Sequence, residues 1–298
     1  MTAYGELPKG IHRYTKLPSP ELGDLWDSIV LDQTIKDQLI GQSIVNFTVR
    51  KSVSREVLPL HGTILLVGEP GTGKTSLARG LSQKCAECFA GASFTLLEVD
   101  PHALSSAMMG KTQKAVSELF GQTIAEAAMS GPTVVLLDEV ETLAADRSKL
   151  SLSANPVDIH RATDAVLVQL DLLAETHKNL LFIATSNFPQ AVDDAFISRC
   201  DLVLDIPRPN PEACREILNM CLRGLGEKFN AIGTLPQSSD FDSLVQAVYG
   251  LDGRAIRKVV ASAFTFRKEV ALNPEKLRLS DLLTAAKAAK FTRAKGEK

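Results

Sequence analysis

Residues 63 to 75 read Thr63-Ile64-Leu65-Leu66-Val67-Gly68-Glu69-Pro70-Gly71-Thr72-Gly73-Lys74-Thr75. After Thr63, the four apolar residues Ile64 to Val67 read as a strand buried on both faces. The next eight fit the phosphate-loop spacing of Gly, four residues, then Gly-Lys-Thr. Glycines at 68, 71 and 73 let the backbone turn tightly enough for its N–H groups to converge on phosphate oxygens. The helix that begins here and runs through Ser76–Lys84 points its positive dipole end at the same anion. Lys74 can reach the terminal phosphates, and the Thr75 hydroxyl can join a Mg²⁺ coordination shell. The nucleotide-binding candidates are therefore Gly68, Glu69, Pro70, Gly71, Thr72, Gly73, Lys74, Thr75 and Ser76. The implied ligands are ATP and Mg²⁺.

Composition bounds what surrounds this loop. The 298 residues suffice for a large core and a smaller second domain, at about 100–200 residues per domain. A net charge of −2 gives no global attraction for nucleic acid or an anionic membrane. No apolar run approaches the ~18 residues of a membrane span, and Met1 to Glu6 lack a secretion-signal pattern. Five cysteines without framework spacing suit a reducing compartment. These features predict a cytoplasmic protein that contacts neither membrane nor nucleic acid.

The first 24 residues, with Pro8, Pro18 and Pro20, read as an extended arm rather than a domain. From Leu25 onward helical and strand patterns alternate. A helix is expected over Asp32–Ser54, and strands over Phe94–Val99, Thr133–Leu137, Leu180–Thr185 and Asp201–Ile206. Helices over Thr112–Met129 and Asn155–Ala174 separate the later strands. Such alternation implies a parallel sheet covered on both faces. After Pro207, Pro209 and Pro211 only helical segments follow: Glu212–Arg223, Phe241–Val248, Gly253–Lys268 and Ser280–Ala289. The expected organisation is an arm over 1–24, an α/β P-loop domain over 25–207 and a small all-helical lid domain over 208–298.

Val134-Val135-Leu136-Leu137-Asp138-Glu139 is an apolar strand that ends in two carboxylates, and such a strand end opens into the ligand crevice of an α/β sheet. Asp138, with Thr75, is a candidate for holding Mg²⁺. Glu139 is a candidate for polarising the attacking water. The strand Leu181–Thr185 leads to Ser186-Asn187, where Asn187 can orient that water. Arg199, on a loop after a sheet strand, suits an arginine finger supplied to a neighbouring subunit. Arg254, which opens a helix of the second domain, suits a sensor of the phosphates. Cys85 and Cys88 have metal-like spacing without a second ligand pair, and read as helix residues facing the core. The lysines from Lys287 to Lys298 read as a solvated end.

Together Gly68–Thr75, Asp138-Glu139, Asn187, Arg199 and Arg254 resemble the AAA+ ATPases. Within them the chain is most similar to the pachytene-checkpoint (thyroid-receptor-interactor) type, which remodels HORMA-domain proteins. The resemblance is carried by Leu25-Trp26-Asp27-Ser28, Leu137-Asp138-Glu139-Val140-Glu141, Ala165-Val166-Leu167, Gln169, Asp171, Thr185-Ser186-Asn187 and Gly253-Arg254. It spans roughly Leu25 to Phe266. It implies a homo-hexameric ring with ATP at subunit interfaces, Arg199 acting on the neighbour's nucleotide, and a pore whose loops pull on a peptide. A first pore loop falls at Met108 and Met109, where relatives place an aromatic residue, and a second near His160 and Arg161. The short arm resembles the compact bacterial branch found in phage-defence operons. There the client is a HORMA protein, associated with a nucleotidyltransferase. The rival expectation is a clamp-loader or helicase-loader-like ATPase, which Ser198-Arg199-Cys200 resembles. The lack of a basic, aromatic-interleaved stripe weighs against it.

Overall fold

The computed structural model describes residues 7–100, 112–144 and 156–296. The chain divides into two compact units: Met1–Gly68 with Lys74–Ile206, and Glu69–Gly73 with Pro207–Lys298.

The first unit is built on a six-stranded sheet. Its strands are β1 (Ile11–Leu17), β2 (Thr63–Val67), β3 (Phe94–Val99), β4 (Thr133–Leu137), β5 (Leu180–Ser186) and β6 (Leu202–Asp205). The spatial order is β1-β3-β4-β5-β2-β6, and every pairing except β1 with β3 is parallel. Parallel neighbours require crossovers, and these place helices on both faces. All residues of β2, β3, β4 and β5 are accordingly buried. Ile64, Leu66, Val134, Leu136 and Ile183 join a core with Leu39 of α2 (Gln33–Phe47), Trp26 of α1 (Leu25–Ser28), and Leu77 and Leu81 of α3 (Lys74–Glu87). Alternate residues Leu65, Val67, Val135 and Leu137 face the other core. That core is closed by Val116 of α4 (Thr112–Glu118), Ala128 of α5 (Ala125–Ser130), and Val166 and Leu170 of α6 (Pro156–Thr176).

Some local outcomes in this unit differ from the pattern in the sequence. Residues 112–129 do not form one regular helix: α4 and α5 are joined by a π-helical segment, Leu119–Ile124. There Phe120 stacks on Phe182 of β5 at 6.0 Å between ring centres, a contact that the 3.6-residue period alone does not reveal. The stretch expected to be an arm outside the domain is extended, but Ile11–Leu17 forms the antiparallel edge strand of the sheet. Leu17 and Leu22 are buried in the core with Trp26. Its polar residues (His12, Arg13, Thr15, Lys16), exposed or half-buried, are those of an edge strand wetted along much of its length, so it lacked the apolar run that marked β2.

The second unit is helical: α8 (Pro211–Gly226), α9 (Asn230–Thr234), α10 (Phe241–Val248), α11 (Gly253–Ala263), α12 (Lys268–Leu272) and α13 (Leu279–Gly296) follow α7 (Asp194–Ile197) of the first unit. The α8 helix packs against α9 and α11, while α13 packs against α10 and α11. Local chemistry sets the starts: the Asn210 side chain accepts from Ala213 N at 2.8 Å ahead of Pro211 at the first helical position, and Asp252 accepts from Ala255 N at 2.9 Å. The helix expected over Gly253–Lys268 stops at Ala263. Beyond it Arg267 turns to the Asp281 carboxylate with two hydrogen bonds of 2.7 and 2.6 Å.

Candidate active site

The sheet registers decide which side chains meet. Val67 lies beside Ser186, and Leu137 beside Ala184, so the carboxyl ends of β2, β4 and β5 open together. At the end of β2, Gly68 has φ +147°, and a Cβ there would lie 2.5 Å from the Ile206 carbonyl oxygen. Only glycine allows that approach. Lys74, at the start of α3, is 5% exposed, and its ammonium donates to the Gly68 carbonyl at 2.8 Å. Thr75 and Ser76 follow in the first turn of α3. The backbone loop, a lysine held within it and an open helix N-terminus form a donor set suited to a chain of phosphates.

Asp138 directly follows β4. Its Oδ1 accepts the Thr75 hydroxyl at 2.8 Å and the Thr185 hydroxyl at 2.5 Å. Two hydroxyls and a carboxylate on one centre form a hard oxygen set of the kind that holds Mg²⁺ together with phosphate. Glu139 is the one non-glycine residue with positive φ, +51°, among the described residues. Its amide donates to Thr185 Oγ1 at 3.1 Å, and its Oε1 accepts from Asn187 Nδ2 at 3.2 Å. The Asn187 amide donates to Glu141 Oε1 at 3.1 Å. The structure therefore brings Thr75, Asp138, Glu139 and Asn187 into one connected network. Thr185 and Glu141 belong to it as well, although sequence reasoning did not select them. Their signal was present in polar residues two positions from Asn187 and two from Glu139.

Arg199 lies outside that network: among the described residues its side chain bonds Asp171 and the Ala195 carbonyl (2.6 Å). The contact with Asp171, on α6, is bidentate, Nε to Oδ1 at 3.0 Å and Nη2 to Oδ2 at 2.7 Å. Arg55 reaches the same carboxylate at 3.3 Å, and His61 Nε2 lies 3.4 Å from it. The hydrogen bonds from Arg199 hold the Asp171 carboxyl below its usual range. Burial, aided by Arg55, pulls the His61 imidazole down. Asp201 fixes the neighbouring turn by accepting from the amides of His61, Gly62 and Thr63.

In the second unit, the loop Glu69–Gly73 is held by residues of the helical part. Gly71 has φ +87°, and a Cβ there would run into the Asp252 carboxylate. The amide of Arg254, exposed on the first turn of α11, donates to Gly71 O at 3.2 Å. Arg208, also missed in the sequence, bonds Glu69 Oε2 through Nε at 2.9 Å and the Gly250 carbonyl through Nη1 at 3.1 Å. The Thr72 hydroxyl donates to the Glu69 carbonyl at 3.0 Å, with Pro70 between them. Positions 160 and 161 fall in the first turns of α6, while the side chains of His160 and Arg161 lie outside the described residues, as do Met108 and Met109 entirely. Cys85 is a core residue whose thiol burial pushes up to about 12, and Cys88 is exposed.

Comparison with known proteins adds to this geometry. The model of the ATPase family associated with various cellular activities (AAA) matches residues 64–208. CD-NTase-associated protein 6 of Pseudomonas aeruginosa is 63% identical over 292 residues, which cover 98% of this chain and 96% of that protein. A pachytene checkpoint protein 2 homolog of Oryza sativa subsp. indica is 36% identical over 215 residues, 70% of this chain but 45% of the relative. The chain thus spans less than half the length of that plant relative. A solved structure of an Escherichia coli MS115-1 HORMA:CdnC:Trip13 complex contains a similar fold, with TM-score 0.74 and 21% identity over 93% of this chain and 94% of that one.

Proposed function

Because the chain belongs to the AAA ATPase family, in the branch of CD-NTase-associated protein 6 and pachytene checkpoint protein 2, we propose that it hydrolyses ATP and couples each turnover to remodelling a HORMA-domain client. The observation that carries the hydrolytic part is the convergence of Lys74, Thr75, Asp138, Glu139 and Asn187 at the carboxyl ends of β2, β4 and β5. The ATPase domain is assigned to the residues up to 207, with the edge strand Ile11–Leu17 as part of its sheet, and the lid to 208–298.

Each residue has one task. The loop Gly68–Gly73 and Lys74 bind the phosphates, and Thr75 with Asp138 holds Mg²⁺. When bound, that ion neutralises phosphate charge. Asn187 fixes Glu139, and Glu139 accepts a proton from water as its oxygen attacks the γ-phosphorus. The bond from phosphorus to the ADP oxygen breaks, which releases ADP and inorganic phosphate. Arg254 senses the phosphates in the chain's own site. Arg199 serves the nucleotide of an adjacent copy in a homo-hexameric ring, in keeping with its absence from the network around Asp138. The ring grips its client through loops that include Met108, Met109, His160 and Arg161.

The client class follows from relatives: one is named for association with a CD-NTase, and one solved complex pairs a similar fold with HORMA and CdnC proteins. The proposed setting is a bacterial anti-phage system in the cytoplasm, with the HORMA client bound to a nucleotidyltransferase. Five free cysteines suit that compartment. Among the described residues no helix is long and apolar enough to cross a membrane.

The test is the steady-state ATPase rate alone, with a HORMA protein and with duplex DNA. Stimulation by the HORMA protein is expected. Stimulation by DNA alone, falling steeply with salt, would replace the remodelling assignment with a loader. Glu139→Gln is expected to bind ATP and lose turnover, and near-normal hydrolysis in that variant would overturn the assignment of the base.

A further inference from the structure

We propose that Glu141 is a positioning residue of the hydrolytic site, placing Asn187 against Glu139; the proposal rests on the hydrolytic reading above. Asn187 donates twice, and both acceptors come from one short turn. Its side-chain amide goes to Glu139 Oε1 at 3.2 Å, and its backbone amide goes to Glu141 Oε1 at 3.1 Å. The backbone of the turn sets both acceptors. Glu139 sits in the left-handed region at φ +51°, uncommon for a non-glycine residue. The 3-10 turn Val140–Thr142 then begins at once, closed by Thr142 N to Glu139 O at 2.9 Å. Val140 is fully buried beneath it. The two carboxylates that bracket Val140 therefore meet one asparagine.

A purely structural partner for the Asn187 amide would need one acceptor atom. Glu141 brings a second, Oε2, which is buried and has no hydrogen-bond partner among the described residues. Buried acceptors are ordinarily partnered, and such exceptions call for an explanation in function or in a bound water. The arrangement is a carboxylate kept beside the reacting centre, with one oxygen committed to placing Asn187.

The test uses the full chain with Mg²⁺ and ATP. Glu141→Ala is expected to lower kcat about tenfold or more, the scale for residues that orient a catalytic group, with ATP Kd within about twofold of wild type. Glu141→Gln keeps an acceptor oxygen, and kcat should recover to within about threefold of wild type. The double variant Glu141→Ala/Asn187→Ala should be no slower than Asn187→Ala alone, because the two residues act as a unit. Wild-type kcat in Glu141→Ala, or losses that simply multiply in the double variant, would overturn the proposal. Amide hydrogen exchange at Asn187 reads the placement without any turnover. It should speed up in Glu141→Ala and stay slow in Glu141→Gln. If the wild-type chain does not hydrolyse ATP while exchange behaves as expected, hydrolysis fails and the placement stands. If hydrolysis is normal and exchange at Asn187 is unchanged in Glu141→Ala, the placement fails alone.

Discussion

Arg199 and Asp171 are locked together within one chain by two near-parallel hydrogen bonds of 3.0 and 2.7 Å. Bidentate pairing of this kind fixes the guanidinium plane as well as its position. An arginine assigned to a neighbour's nucleotide is thus already oriented before any neighbour arrives. Its mooring is crowded: Arg55 and His61 share the same carboxylate, so a change of charge at either is felt by Arg199.

His61 gives that cluster a pH dependence. Burial and Arg55 lower its pKa in the folded state, against the opposing pull of Asp201 and Asp171. The unfolded chain takes up the proton near pH 6.5, where the folded chain resists it. The stability from a neutral His61 is therefore complete above about pH 6.5 and lost as the pH falls toward the lowered folded value. Thermal unfolding from pH 8 to 5 should show the wild type losing Tm relative to His61→Gln. Parallel curves for the two proteins would remove His61 as the source.

Thr185 is expected to matter as much as several residues with recognised motifs. It donates to Asp138 at 2.5 Å and accepts from the Glu139 amide at 3.1 Å. Thr185→Val keeps the shape and removes both bonds. We expect a loss of about 10–100-fold in turnover or in Mg²⁺ affinity, the usual cost of deleting a group that orients a metal-site carboxylate. Thr185→Ser should restore most of it. Phosphate release measured across a Mg²⁺ titration decides the matter.

Gly80 tests the packing around the lone tryptophan. A Cβ at position 80 would lie 2.6 Å from the Trp26 amide nitrogen and 2.7 Å from its Cα, backbone atoms that cannot swing aside. Helix propensity favours alanine by about 1 kcal/mol, whereas forced overpacking costs about 1–3 kcal/mol. The clash should win, and Gly80→Ala should melt several degrees lower. A higher Tm would show that α1 moves freely over α3.

Much of this was legible in the sequence wherever one segment sufficed. The strand Thr133–Leu137 and the helix Phe241–Val248 have the boundaries expected from their patterns, and Lys74, Asp138 and Asn187 stand where their motifs placed them. What escaped were partnerships between distant segments. Asp171 waits for Arg199 across 28 positions, and Arg208 for Glu69 across 139. Thr185 becomes part of the site only because the β4–β5 register sets Leu137 beside Ala184. The strand Ile11–Leu17 was hidden for a different reason: an edge strand with one wet side carries no apolar run to announce it.

That edge strand is expected to set the smallest piece of the chain able to fold. A gene shortened to begin at Leu25 would keep every phosphate-site residue and still encode a damaged product. The backbone of Phe94–Val99 would keep its pairing with β4 but lose its hydrogen-bonding neighbour on the other side along the whole strand. The places filled by Ile11, Leu17 and Leu22 would open to water. An uncovered strand of that length recruits other copies edge to edge, so the shortened protein should precipitate on expression rather than merely run slowly. The catalytic signature begins near residue 64; the heritable unit of folding begins some fifty residues earlier.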